Sequence, residues 1–326
     1  MKGKNQKLKL LYLAKIMQEQ TDETHYLTMP EIISELAKYD IEAQRKSIYD
    51  DLATLTDYGI DIVKEQSGSK TYYHCVSREF ELAEIRLIID AISSSKFITV
   101  RKSKDLIRKL ENMLSLYDAK LVDREVYVSG RIKNMNESIF YTVDAIQNAI
   151  ANNHRVKFQY YSWNVDGKME LRHDGAFYDI SPWALVWDDE NYYMIGFDDK
   201  TKEIKHYRVD KMLHTEEINQ KRQGRERFKK EDKDAYTKRH FRMFGGDEER
   251  VTLLCTNDMA NVIIDQFGRD TKMIKVDDEH FEAKVDVVVS NQFFGWIFAL
   301  EGKITIIGPS NVKKRLEALL KNSFIK

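Results

Sequence analysis

The spacing of apolar residues changes near Asn152, and that change limits the possible folds more than any other feature of the chain. Before it, apolar side chains recur at three- and four-residue steps, as in Leu82, Ile85, Ile88, Ile89 and Ile92. That is the signature of a helix with one buried face. After it they alternate, as in Val156-Lys157-Phe158-Gln159-Tyr160, the signature of strands. The 326 residues suffice for two or three domains at roughly 100–200 residues each. A multidomain α+β chain follows, with a helical part first and a β-rich part second.

Within the first part the roughly helical spacing of apolar Leu8, Leu11, Tyr12, Ala14 and Ile16 predicts a helix over 5–20. Thr28, Pro30 and Glu31 then form a helix start: a capping hydroxyl, a proline in the first turn and a carboxylate three residues on. That second helix ends near Tyr39, and a third runs from about Ala43 to Gly59 with Ile48, Leu52 and Leu55 inward. Two alternating segments, 60–64 and 71–76, flank Gln66-Ser67-Gly68-Ser69-Lys70 and read as a β-hairpin. Three short helices and a hairpin are the layout of a winged helix-turn-helix over residues 1–77. In such a domain the start of the third helix enters the major groove. Arg45, Lys46, Ser47 and Tyr49 stand there, and Lys64 and Lys70 on the hairpin are placed to touch phosphates.

Charge gives little support to that reading. Residues 1–77 hold 10 basic and 12 acidic side chains, net −2, and the whole chain has net charge −1. Any basic footprint is local: Lys2, Lys4, Lys7 and Lys9, the Arg45-Lys46 pair, and the two hairpin lysines. Residues 78–152 read as a helical connector, with helices beginning near Leu82 and covering about 102–116 and 136–152. Short aromatic and β-branched segments at 178–180, 183–187, 192–197 and 206–209, divided by polar turns, make residues 153–218 a small antiparallel barrel or sandwich. Residues 219–242 carry 10 basic against 4 acidic side chains. We read 219–244 as a basic linker, either solvated or a surface for an anionic partner. From 245 to 326 strands and helices alternate in a further α+β unit.

The stretch 179–212 resembles the WYL domain of bacterial transcriptional regulators. The resemblance rests on Ser181-Pro182, Tyr192-Tyr193-Met194 and Arg208-Val209-Asp210-Lys211. The namesake Trp-Tyr-Leu tripeptide survives only at Tyr193, and Lys211 stands in place of a final arginine. Ser47-Ile48-Tyr49-Asp50-Asp51-Leu52 is similar to the family's recognition helix, although Asp50 replaces its usual arginine. Phe294-Gly295-Trp296, Gly302, Ile304 to Ile307 and Pro309 are similar to its WCX-type C-terminal extension. The resemblance implies an Sm-like β-barrel, a nucleotide or single-stranded nucleic acid as effector, a double-stranded DNA operator and a homodimer. It implies a ligand pocket of Ser181, Tyr193, Arg208 and Lys211, with Lys157, Tyr160 and His206 weaker neighbours on the same group of strands. An arginine fork and a lysine suit phosphate, and a tyrosine ring can stack a base. The residues equally allow Tyr193 as core and Arg208 paired with Asp210 or Asp179.

Motifs for other chemistry are missing. The sequence has no G-x-x-x-x-G-K-[ST], G-x-G-x-x-G, H-E-x-x-H or G-x-S-x-G. Its two cysteines, Cys75 and Cys255, and eight scattered histidines meet no metal spacing. No apolar run approaches the ~20 residues of a membrane helix, and the N-terminus lacks a signal-peptide pattern. The expectation is a cytoplasmic ligand-responsive regulator with no catalytic activity, cofactor, metal or membrane partner. The alternative is a nucleic-acid-sensing regulatory subunit of a phage-defence system without operator recognition.

Overall fold

One helix start near the N-terminus, at Thr28, is fixed by local side chains. In the computed structural model, which describes residues 6–122, 133–188, 190–228 and 247–324, α1 is Lys9–Gln20, preceded by a short 3-10 turn. The chain divides into two compact units, Met1–Glu137 and Ser138–Lys326. Lys2, Lys4 and the basic stretch 229–244 lie outside the described residues.

In the first unit, α2 (Met29–Ala37) opens on a capping box between Thr28 and Glu31. Helix α3 (Arg45–Tyr58) closes on Gly59 in the left-handed conformation. Leu13, Ile16 and Met17 of α1 meet Ile32, Leu36, Ile48, Leu52 and Leu55 in one core. Each such side chain contributes about 1.5–3 kcal/mol by leaving water. Strands β1 (Leu27–Thr28), β2 (Ile62–Ser67) and β3 (Lys70–Cys75) form an antiparallel sheet in the order β1-β3-β2. The two-residue β1 is too short to leave a sequence signature.

The helix expected over 102–116 is two helices, α5 (Val100–Glu111) and α6 (Leu116–Val122), following α4 (Leu82–Ser94). Ser115 makes the break: its hydroxyl accepts the Asp118 backbone N–H at 3.0 Å, so a new helix starts there. The same hydroxyl donates to the Asp22 carboxylate at 2.7 Å. Asp22 also accepts from the backbone of Thr24 and His25, each at 2.9 Å, and the His25 ring stacks on Tyr117. Asp22 thus ties α6 to the loop after α1.

In the second unit, α7 (Ile139–Asn152) buries Ile139, Thr142, Ile146 and Ala149. Its face packs on the neighbouring sheet, so it belongs with the strands and not with the helices at 78–122, where the sequence reading groups it. The sheet comprises β4 (His154–Trp163), β5 (Met169–Leu171), β6 (Tyr178–Asp188), β7 (Asn191–Asp198), β8 (Glu203–Arg208) and β9 (Met212–Lys221). The order is β5-β4-β6-β7-β8, with β9 on β4. Two segments read as separate strands, 178–180 and 183–187, are one strand with a register shift between Pro182 and Ala184. A bulge re-aims side chains without ending the strand. Gly196 permits the close approach there, since a Cβ would lie 2.4 Å from Ile180.

The remainder has β10 (Asp247–Thr256), α8 (Ala260–Phe267), β11 (Lys272–Lys275), β12 (His280–Val289), α9 (Asn291–Phe298), β13 (Ile304–Gly308) and α10 (Ser310–Phe324). Its antiparallel sheet runs β11-β12-β10-β13. Phe293, Phe294 and Ile297 pack on its valines and isoleucines.

Candidate functional site

Two surfaces carry the residues singled out by the sequence, one in each unit. On α3 the burial of Ile48, Leu52 and Leu55 turns Arg45, Lys46 and Tyr49 outward. Arg45 Nε donates to Tyr49 Oη at 2.8 Å, and its guanidinium lies 5.6 Å from the centre of that ring. This bond leads the influences that hold the Tyr49 hydroxyl below the usual phenol range, and the Lys64 charge acts in the same direction. Lys64 pairs across the hairpin with Tyr73, whose ring lies 6.3 Å from Tyr49. Burial is the first cause that pushes the Tyr73 hydroxyl up to about 12.

Arg45, Tyr49 and Lys64 are thus brought together, with Lys46 exposed beside them. Ser47 is not part of the exposed group: its hydroxyl accepts from Lys9 Nζ, and Lys9 also pairs with Asp51 at 2.6 Å. That pairing withdraws Lys9 from the surface, and it neutralises one of the two acids that follow Tyr49. Lys70 is exposed at the hairpin turn, where its charge acts on Glu31 of α2.

On the second unit, strand register puts Ser181, Tyr193, His206 and Arg208 on one face. Tyr193 stands opposite Arg208, Ile195 opposite His206, and Ser181 opposite Phe197, and cross-strand partners share a face. The chain just after β9 folds back over this face. The Gln223 backbone N–H donates to Ser181 Oγ at 2.9 Å. Trp183 Nε1 donates to the Gln223 carbonyl at 2.9 Å. The Arg222 guanidinium lies 4.2 Å from the Trp183 ring centre and donates to the Pro182 carbonyl at 2.7 Å. Phe228 packs against Ala184, Val186, Tyr193, Ile195 and Ile204. Gly224 is required, because at φ +78° a Cβ would sit 2.2 Å from the Phe197 ring. Ser181 is fully buried and Tyr193 is 8% exposed.

Arg208 is engaged on both sides. It makes a two-point ion pair with Asp210 at 3.0 and 2.9 Å and donates to Asn191 at 2.9 Å. Asp179, the other carboxylate considered for it, pairs with Arg155 at 2.8 Å. Lys211 follows in a 3-10 turn and is half-buried. Burial and then the nearby Arg208 charge lower its amine below the usual lysine range, with Asp210 acting against them.

Tyr160, which the sequence places as a weaker neighbour of the pocket, stands close by, and with it Arg172, which the sequence does not single out. Tyr160 accepts the Arg208 backbone N–H at 3.1 Å, and burial pushes its hydroxyl up to about 12. Arg172 lies 6.0 Å from the Tyr160 ring centre. It opens a turn whose next two residues, His173 and Asp174, have φ of 52° and 53°. Gln159 holds the turn by donating to the Gly175 carbonyl at 2.5 Å. Beyond it lies a cavity of about 440 Å³ lined by His173, Phe177, Tyr178, Lys200 and Lys205. The left-handed backbone at His173 and Asp174 that sets this turn leaves no signal in the sequence. Among the described residues no group of His, Cys, Asp and Glu is placed to hold a metal, and no helix is long and apolar enough to cross a membrane.

The family model of the WYL domain matches residues 141–217, which is α7 through β9. No curated protein matches the chain. A structure of proteasome accessory factor B/C (PafBC) of Arthrobacter aurescens shares 16% identity at a TM-score of 0.29, over 88% of this chain and 44% of that one. The chain therefore spans under half the length of the PafBC chain. A crystal structure of a CRISPR Cas-related protein shares 12% identity at a TM-score of 0.36, over 89% of this chain and 76% of that one.

Proposed function

We propose, from the premise that the chain carries a WYL domain at residues 141–217, that it is a ligand-responsive DNA-binding transcriptional regulator. In this reading residues 1–77 act as a winged helix-turn-helix, and the sheet of the second unit acts as an Sm-like barrel that senses a nucleotide or a single-stranded nucleic acid. The observation that carries it is the exposed group of Arg45, Tyr49 and Lys64, with Asp51 neutralised by Lys9. Arginine at the start of an exposed helix can bind a guanine edge through two bonds, and the hairpin lysines can hold phosphates. One such face is a small footprint. A homodimer reading two half-sites about one helical turn, or a multiple, apart gains affinity through effective concentration.

Selection of duplexes from a random pool by the full chain, at stated salt, tests the proposal. An enriched two-fold site is the expected result, with sedimentation giving a dimer on DNA. Binding with no sequence preference overturns operator recognition and favours the regulatory-subunit alternative.

A further inference from the structure

The motif residues Arg208 and Lys211 do not have equal access to a ligand. The Arg208 fork faces Asp210 through two bonds and Asn191 through a third. Lys211, among the described residues, has neither a hydrogen bond nor an ion pair. The charged groups that act on it are Arg208, Asp210 and Arg172. Three lines of geometry converge on Tyr160. Its hydroxyl holds the Arg208 backbone, its ring carries Arg172, and its strand register with Met212 brings the backbone of the preceding residue, Lys211, beside it, where the Arg172 charge acts on the Lys211 amine. Arg172 comes from the turn before β6, outside the stretch that resembles the family motif.

We propose that Arg172 and Lys211, set around Tyr160, form the seat for a phosphate monoester, and that Arg208 is a positioning residue held by Asp210. The charge count supports a dianion. Three cations and one carboxylate leave an excess of two positive charges, and a terminal phosphate carries about −1.5 to −2 at neutral pH. A phosphodiester inside a strand carries one negative charge and matches less well. Arg172 supplies a planar set of donors for two oxygens, and Lys211 supplies a compact charge that is only partly hydrated. Because Arg208 reaches its pair through its own side chain, the site needs no rearrangement there to accept the anion.

The inference rests on the sensor reading of this domain, and the experiment separates the two. Binding of thymidine 5′-monophosphate, the dinucleotides pTpT and TpT, and glycerol phosphate to the full chain is measured by calorimetry at low salt. The wild type is expected to favour pTpT over TpT by about tenfold or more, the usual gain from a charge-assisted bond. That preference should fall to about twofold or less in Arg172→Gln and in Lys211→Gln, and return in Lys211→Arg. Melting curves confirm that each variant is folded. Equal binding of glycerol phosphate and pTpT identifies a free phosphate ester as the source, and stronger pTpT binding identifies a strand end.

No phosphate preference in the wild type, or a preference untouched by both glutamine variants, overturns the proposal. A preference that follows these residues while none of the probes alters operator binding leaves the seat standing and removes the sensor coupling.

Discussion

The surface on α3 and the surface on the WYL sheet use the same side-chain chemistry in opposite ways. On α3, Arg45 bonds to a neutral phenol and keeps its remaining donors outward, while the nearby Asp51 is drawn inward by Lys9. On the sheet, Arg208 commits its Nε and Nη2 donors to Asp210 and Asn191, and the chain's own Phe228 covers the apolar part of the face. The first surface is open to a long polyanion approached from solvent. On the second, the cations that the proposed seat uses are Lys211 and Arg172, beside an Arg208 already paired with Asp210. A basic residue in a motif therefore says little until its counter-charge is located.

The largest expected effect comes from the cover over the sheet. Gly224→Ala places a methyl group inside the Phe197 ring at a positive φ. Overpacking of about 1–3 kcal/mol adds to roughly 1–2 kcal/mol of backbone strain, so a loss of about 3 kcal/mol or more is expected in urea denaturation. A wild-type midpoint would show that the strand-end segment is not held against Phe197, and would remove the contrast between covered and open surfaces.

Asp22 gives the next effect, in the first unit. Burial alone would raise its carboxyl, but hydrogen bonds led by Ser115, with Thr24 and His25, outweigh it and hold the group at about 2. A folded value below the ordinary 3.8 means stability that is present above that pH and lost as pH falls through it toward 2. Asp22→Ala should cost about 2–3 kcal/mol at pH 7, from donors left without a partner. The difference from wild type should shrink between pH 4 and pH 2. A difference constant with pH would contradict the assignment.

How much of this was legible follows the range of each interaction. The phase of α3 was readable, because Ile48, Leu52 and Leu55 fall on one helical stripe and all three are buried. The capping box at Thr28 and Glu31 was readable for the same reason, since four consecutive residues contain it. The Asp22–Ser115 bond spans 93 residues and no local pattern encodes it. The move of α7 to the second unit was hidden too: its apolar stripe requires a partner but does not say whether that partner is a helix or a sheet. The WYL motif was legible as a resemblance and its strand positions share one face. Which of its cations is free depends on Asp210 and on a turn begun by Arg172, and those follow from side-chain geometry alone.

Arg45 and Arg208 offer a direct test of the contrast between the surfaces. Arg45→Ala should relax base preference at one position of each half-site by about 1–3 kcal/mol, read by competition among single-base variants of a selected operator. Arg208→Ala should leave operator preference unchanged while exposing Asp210. A loss of discrimination as large in Arg208→Ala as in Arg45→Ala would mean that the second surface also reads bases.

The smallest effects separate neighbours within α3. Lys46 is exposed at the helix start, whereas Ser47 is held by Lys9. A lysine that meets a phosphate weakens all sequences alike and contributes about one unit to the slope of log affinity against log salt. Lys46→Ala should therefore lower affinity for selected and random duplexes by the same factor and reduce that slope by about one. Ser47→Ala removes a hydroxyl that faces α1 and should change neither affinity nor slope beyond about twofold, because the Lys9–Asp51 pair remains to hold the helices together. A change in sequence preference from Ser47→Ala would place that hydroxyl at a base edge, and Lys9 would then have to release it when DNA binds.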